Sequence, residues 1–273
     1  MNLDTALELL SRRPDAPLDV AELSLRLAAD EHPGLDVGAY LSELAGMAHE
    51  AKRYLGGGLE ARTRGLCRYL FHDCGFRGNV RDYYDPRNSY LNEVLDRRTG
   101  LPISLTAVAI AVGERAGLEV VGVGLPGHFV AKAVAGGEEV LFDPFHGGRP
   151  LTGADCELLV EQVTGTPFQA TPDALRAVPP GPFVLRMLNN LKGAHLRLGD
   201  FPRAVRAIER LRQLDPSDVV QQRDLGVSLM RCGEPGRAID PLAAYLEARP
   251  QAADADLVTK LLTEAKGEVA KWN

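Results

Sequence analysis

Apolar residues recur through the first seventy positions at the spacing of a helix, interrupted by proline and glycine. Leu3, Leu7 and Leu10 share one face. Leu18, Ala21, Leu23, Leu25 and Leu27 form the next run, which stops at His32-Pro33-Gly34, and Tyr40, Leu41, Leu44 and Met47 return at i, i+3 and i+4 positions. That period presents one stripe of side chains to a core. Gly56-Gly57-Gly58 predicts a turn, because each glycine inside a helix costs about 1 kcal/mol relative to alanine. Leu66, Tyr69 and Leu70 close the run. The expectation for this segment is a helical layer that covers something else.

From 72 to 100 the pattern changes to aromatics mixed with turn formers, Gly75-Phe76-Arg77-Gly78-Asn79 and Tyr83-Tyr84-Asp85-Pro86-Arg87-Asn88-Ser89. This composition predicts a long ordered loop. Tyr84 and Asn88 in such a loop either hold its backbone or line a pocket. Tyr90, Leu91, Val94 and Leu95 predict a short helix, ended by Arg97-Arg98-Thr99-Gly100 with the basic residues and glycine expected of a C-terminus. The run from Pro102 to Ala116 carries few polar positions, so it predicts a helix buried on nearly every side, with proline pre-set for its first turn. Ser104 lies in that first turn, where it either caps the helix or meets a developing negative charge.

Three strand-like runs follow, at Glu119–Gly124, His128–Val134 and Glu139–Asp143. Ala135-Gly136-Gly137-Glu138 predicts a hairpin turn between the last two. If the loop is centred on the two glycines, His128 faces position 145 and Asp143 is its diagonal neighbour on the same face. Diagonal neighbours lie about 7–8 Å apart at Cα, within side-chain reach. A three-residue loop would shift this register. The spacing allows a carboxylate to orient an imidazole, as a nucleophile–base–orienter triad requires.

After a helical pattern at Asp155–Val163 comes a proline-rich connection from Thr166 to Phe183, and a domain boundary is expected at 175–182. Beyond it the chain repeats: Leu191 matches Leu225, Gly199 matches Gly233, Ala204 matches Ala238 and Pro216 matches Pro250, each 34 residues apart. That period resembles the tetratricopeptide repeat, a helix–turn–helix unit, with Leu257–Val269 as a capping helix. Two repeats are fewer than the three usually needed, so the array is expected to lean on the first domain. Lys192, Arg197, Arg203, Arg206, Arg210 and Arg212 on these helices read as a solvated face, or else as a surface for an acidic peptide or protein.

Composition narrows the field. The chain has 273 residues, 45% hydrophobic and 25% charged, which is ordinary for a globular protein of two domains. A net charge of −6 argues against a nucleic-acid partner recognised by bulk charge. The four cysteines, Cys67, Cys74, Cys156 and Cys232, have no CxxC spacing and read as reduced, packed thiols. No stretch looks like a signal peptide or membrane anchor, so a cytoplasmic protein is expected, with no membrane partner. The six histidines form no HxH, HExxH or Cys/His cluster, so no metal and no cofactor are expected. GVGLPG at 122–127 is interrupted by proline and is rejected as a nucleotide motif.

The wording NSYLNEVLDRRTGLPISL, GVGLPGHFVAKAV and LFDPFHGGRPLT resembles the bacterial transglutaminase-like family with C-terminal tetratricopeptide repeats, the invasion-gene regulator type. The resemblance covers roughly residues 1–165, with its motifs concentrated in 76–152. It implies an α+β fold: a helical N-terminal layer, a transglutaminase- or papain-like core of a long helix on an antiparallel sheet, and a C-terminal all-α repeat unit. The domains would be 1–175, with a helical part at 1–95 and a core at 96–165, and 182–273. Related enzymes carry a cysteine at the helix start, a histidine on the next strand and an aspartate on the strand after that. The resemblance places the last two on His128 and Asp143. The cysteine is missing: residues 99–106 read TGLPISLT, and Ser104 is the nucleophile-type side chain near its place.

Three functions follow. The favoured one is a non-enzymatic or degenerate transglutaminase-like protein, regulatory in character, whose repeats bind a protein or peptide. The alternative is a hydrolase or acyltransferase using Ser104, His128 and Asp143 as a triad, with Asn88, His146 and Tyr84 lining the pocket. The third recruits Cys74 from the preceding loop, although nothing in its spacing demands that.

Overall fold

The longest apolar run in the sequence becomes the helix around which the first part of the molecule packs. In a computed structural model, which describes residues 1–271, the helices are α1 (Leu3–Arg12), α2 (Val20–Glu31), α3 (Val37–Ala51), α4 (Leu59–Cys67), α5 (Leu91–Arg97), α6 (Pro102–Ala116), α7 (Gly153–Thr164), α8 (Pro180–Leu198), α9 (Phe201–Leu214), α10 (Val220–Arg231), α11 (Pro235–Ala248) and α12 (Ala255–Ala270). The strands are β1 (Arg77–Gly78), β2 (Thr99–Gly100), β3 (Glu119–Leu125), β4 (His128–Ala135), β5 (Glu138–Asp143) and β6 (Arg149–Leu151). The fold is α+β, with a C-terminal helical repeat region. Two compact units emerge, Asp15–Met187 and Leu3–Pro14 together with the chain from Leu188.

In the unit Asp15–Met187, every residue of α6 from Pro102 to Gly113 is buried. Its neighbours are α2 and α3 on one side and β3 and β4 on the other, which is why the run has almost no polar face. Gly117 ends it at φ 90°, a left-handed position that glycine adopts without strain. The antiparallel sheet has the order β3-β4-β5-β6. Its central hairpin pairs Ala131 with Phe142 and Ala135 with Glu138, the register that a turn centred on the two glycines predicts. Gly136 and Gly137 make that turn at φ 57° and 84°. Strand β6 escapes the sequence pattern because Pro150 sits in it; as the last strand in the order, β6 is an edge, where proline is tolerated.

The 76–90 loop is tied to the start of α6 by a feature the sequence does not announce. Strands β1 and β2 pair in parallel, Arg77 with Thr99 and Gly78 with Gly100. The loop is also closed from within by Asn88, described below.

In the other unit, α9, α10, α11 and α12 pack in succession, and α1 packs on α9. Leu3, Ala6, Leu7 and Leu10 of α1 are all buried, so the first helix of the expected covering layer groups with the repeats. Asp4 accepts from Arg210 at 2.5 Å. Ala204 and Ala238, one repeat period apart, are fully buried where a larger side chain would hold neighbouring helices apart. Helices α9 and α11 end just before Pro216 and Pro250. The sequence places the boundary at 175–182, and the compact units divide within α8, between Met187 and Leu188. Pro180 and Pro182, which mark a connection in the sequence, lie in the first turn of α8, where no backbone donor is needed.

Candidate functional site

Strand β4 begins at His128 and β5 ends at Asp143, and the hairpin register brings the two side chains together. His128 Nε2 lies 3.1 Å from Asp143 Oδ2. His146 returns to the same oxygen, its Nδ1 2.7 Å away. The other carboxylate oxygen, Oδ1, accepts the backbone N–H groups of Phe145 at 2.9 Å and His146 at 3.3 Å. An aspartate accepting from the amides two and three residues on is a turn-forming device, and it folds Asp143-Pro144-Phe145-His146 back on itself. Asp143 is fully buried and His128 is 5% exposed, while His146 is roughly half exposed. Burial pushes the Asp143 carboxyl up, but hydrogen bonds and charge from His128 and His146 outweigh it and hold the group below the ordinary carboxylate range.

An ionised carboxylate offers only lone pairs, so both imidazoles present an N–H to it. His128 in its neutral form then carries its free lone pair on Nδ1, and His146 carries its own on Nε2. The two rings stack, with centroids 5.7 Å apart and planes 27° from parallel. This half of the arrangement can orient an imidazole as a base.

The other half differs. Ser104 is fully buried. Its Oγ accepts from the Leu101 N–H at 2.9 Å and faces the carbonyls of Asn88 at 2.7 Å and Leu101 at 3.1 Å. That is the reach-back of a third-position side chain to the residue capping the helix. The hydroxyl has one proton, and both of its acceptors are backbone oxygens. No hydrogen bond joins Ser104 to His128 among the described residues.

The remaining loop candidates are placed by the loop's own bonding. Asn88 is fully buried; its Nδ2 donates to the carbonyls of Asp82 at 2.8 Å and Tyr83 at 3.2 Å, and its Oδ1 accepts from Asn79 at 3.0 Å. Tyr84 is 54% exposed and meets the Tyr83 ring edge-on. Tyr83 packs edge-on against Phe145, which packs edge-on against His128, so an aromatic series runs from the loop to the histidine. Gly78 lies under Phe145 so closely that a Cβ there would come within 2.5 Å of the ring. The loop and Phe145 thus help to cover His128.

The cysteines do not supply a nucleophile by their electrostatics. Burial pushes the Cys67 thiol up to about 12 and Cys156 up to about 11. Cys74 is also raised by burial, against a hydrogen bond from Tyr69 and the charge of Arg98. A reactive thiol needs the opposite shift. The apolar pattern does not announce Arg186, whose Nη2 donates to the carbonyls of Leu125 at 2.9 Å and His128 at 2.6 Å, clamping the β3–β4 turn. Its only signal is a lone charge in the apolar start of α8. The basic residues of the repeats also meet acids: Lys192 bonds Asp224 at 3.0 Å and Arg203 bonds Asp200 at 2.7 Å.

A cavity of about 650 Å³ is lined by Arg77, Asn79, Arg81, Arg97 and Thr99, and a second of about 390 Å³ by Asp19, Ile110, Glu114 and Phe183 among others. Neither is lined by Ser104, His128 or Asp143. Among the described residues, no helix is long and apolar enough to cross a membrane.

Residues 38–189 match the family described as the transglutaminase-like superfamily, and residues 191–263 match the tetratricopeptide repeat. A protein of Xylella fastidiosa named only as a UPF0162 protein is 33% identical over 266 residues, covering 93% of this chain and 92% of its own. A UPF0162 protein of Pseudomonas aeruginosa is 30% identical over 216 residues, 77% of this chain and 76% of its own. Human F-box only protein 21 is 28% identical over 168 residues, 58% of this chain and 25% of its own length. Among solved structures, a crystal structure of menin aligns with 98% of this chain and 71% of its own at a TM-score of 0.43 and 11% identity, a likeness too distant to carry an argument.

Proposed function

The chain belongs to the transglutaminase-like superfamily, and from that premise we propose that it is a cytoplasmic protein-interaction protein, regulatory in character, whose transglutaminase-like part serves as a scaffold without turning over a substrate. Its repeat region, from Leu188 onward together with α1, is the docking surface for a protein or peptide, and the unit Asp15–Met187 is the scaffold. The observation that carries the reading is the state of Ser104. Its hydroxyl is buried and engaged with backbone groups of Asn88 and Leu101, so it caps α6. A serine acting as nucleophile needs a base to take its proton and an open approach for the acyl carbon. The raised thiols supply no substitute at that point.

One observation favours the alternative, a hydrolase or acyltransferase using Ser104, His128 and Asp143. The bond from His128 to Asp143 fixes a tautomer with a free ring nitrogen, which a triad uses. On that reading the serine must exchange its backbone partners for the imidazole, and the loop carrying Asn88 must open.

Turnover separates the two. The full chain is assayed with activated esters, thioesters and anilides, beside His128→Ala. The interaction reading expects background hydrolysis, equal in both proteins. Saturable turnover that His128→Ala abolishes would overturn it.

A further inference from the structure

His128, Asp143 and His146 form a cluster whose chemistry the interaction reading does not use. We propose that His128 Nε2, Asp143 Oδ2 and His146 Nδ1 are a three-ligand site for a divalent first-row transition ion of the zinc class. The inference goes beyond the proposed function and does not rest on it, because the site needs neither Ser104 nor the repeats.

The donor set comes first. Two imidazole nitrogens and one carboxylate oxygen lie within 4.8 Å of one another. Imidazole donors favour zinc, copper, iron or nickel, whereas magnesium and calcium prefer all-oxygen surroundings. Spacing comes second. Bonds of about 2.0–2.1 Å in a tetrahedron put ligand atoms about 3.3 Å apart. His128 Nε2 and Asp143 Oδ2 stand at 3.1 Å, and His146 Nδ1 and the same oxygen at 2.7 Å, so both pairs are close to that spacing. The adjustment falls on His146, whose half-exposed side chain sits on a turn beside Gly147 and Gly148, both at φ 74°.

Support for the ligands comes third. Asp143 Oδ1 is held by the amides of Phe145 and His146, which aims Oδ2 at the two rings. Outer hydrogen bonds of this kind fix ligand orientation in metal sites. To bind, each imidazole gives up the hydrogen it turns toward Asp143 and offers that lone pair to the ion, while the carboxylate oxygen already offers one. A bound ion would tie β4, β5 and the 144–148 turn together, with its fourth position on the exposed side of His146.

The test uses tag-free full-length protein, stripped with chelator. Zinc is titrated in competition with a chromophoric chelator, and cobalt is titrated with absorption as the readout. The expected result is one equivalent of each, tetrahedral cobalt bands in the visible, and no thiolate charge-transfer band. Losing a ligand outweighs losing its support, so His146→Ala and Asp143→Asn should each weaken zinc by more than about 100-fold. His146 is half exposed, so its variant keeps the fold. Zinc should also raise the melting temperature of the parent and leave that of His146→Ala unchanged. Three results would each overturn the proposal: absence of stoichiometric binding, a thiolate band, or affinity in both variants equal to the parent.

Discussion

Ser104 and Asp143 are both fully buried and both hydrogen-bonded, but their partners differ in kind. Ser104 meets only backbone, the groups of Leu101 and Asn88 at the head of α6. Asp143 divides its two oxygens, one to the amides of its own turn and one to the imidazoles of His128 and His146. A hydroxyl engaged in this way closes the end of a helix. A carboxylate engaged in this way fixes the tautomer and direction of another side chain. The comparison teaches that one buried polar group orients an imidazole, while the other works as a helix cap. That asymmetry is what the interaction reading rests on.

The largest effect is expected at the side-chain cluster. Asp143→Ala leaves the buried His128 imidazole and the amides of Phe145 and His146 without their acceptor, and a buried donor left unsatisfied costs about 1–3 kcal/mol. Urea denaturation measures it. The same position carries a pH signature. Its folded pKa is depressed, so its contribution is complete above the unfolded value of about 3.9 and is lost as pH falls through the lower folded value. The part of the stability gap between the parent and Asp143→Asn that comes from this carboxyl's own ionisation should therefore persist down to about pH 4 and close only in stronger acid.

At the helix head the effect is smaller. Ser104→Ala removes a cap and should cost about 1–2 kcal/mol, with the imidazole resonances of His128 unmoved in NMR spectra. A shift of those resonances would mean that the two ends communicate, and would break the comparison. The smallest effect belongs to the exposed pairs. Arg203→Ala loses the contact with Asp200 at the head of α9, and is expected to change stability by no more than about 0.5 kcal/mol in the same denaturation assay.

The sequence makes some of this legible for identifiable reasons. A mostly apolar run of 15 residues opened by proline fits a buried helix, and α6 is one. Two glycines fit the centre of a tight turn, and with the loop centred on them the β4–β5 register and the meeting of His128 with Asp143 follow. Elsewhere the pattern is silent. The stripe on α1 shows that the helix has a partner, but a stripe does not say which, and its partner is α9. Pro150 hides β6. The histidine spacing points away from a cluster, yet Asp143-Pro144-Phe145-His146 is a side-chain-closed turn that brings His146 back to Asp143. An aspartate ahead of Pro, His and two glycines is the signal that could have revealed it. The loop at 76–90 is closed from within by Asn88, through side-chain bonds to Asn79, Asp82 and Tyr83 that hydrophobic periodicity does not encode.

The most direct test of the helix-cap account is to treat the native full chain with a fluorophosphonate and map any adduct by peptide mass spectrometry. The account predicts that Ser104 stays unmodified, with its hydroxyl bound to Leu101 and Asn88. A stoichiometric adduct on Ser104 that disappears in His128→Ala would contradict it, and would make the His128–Asp143 pair the base of a working triad.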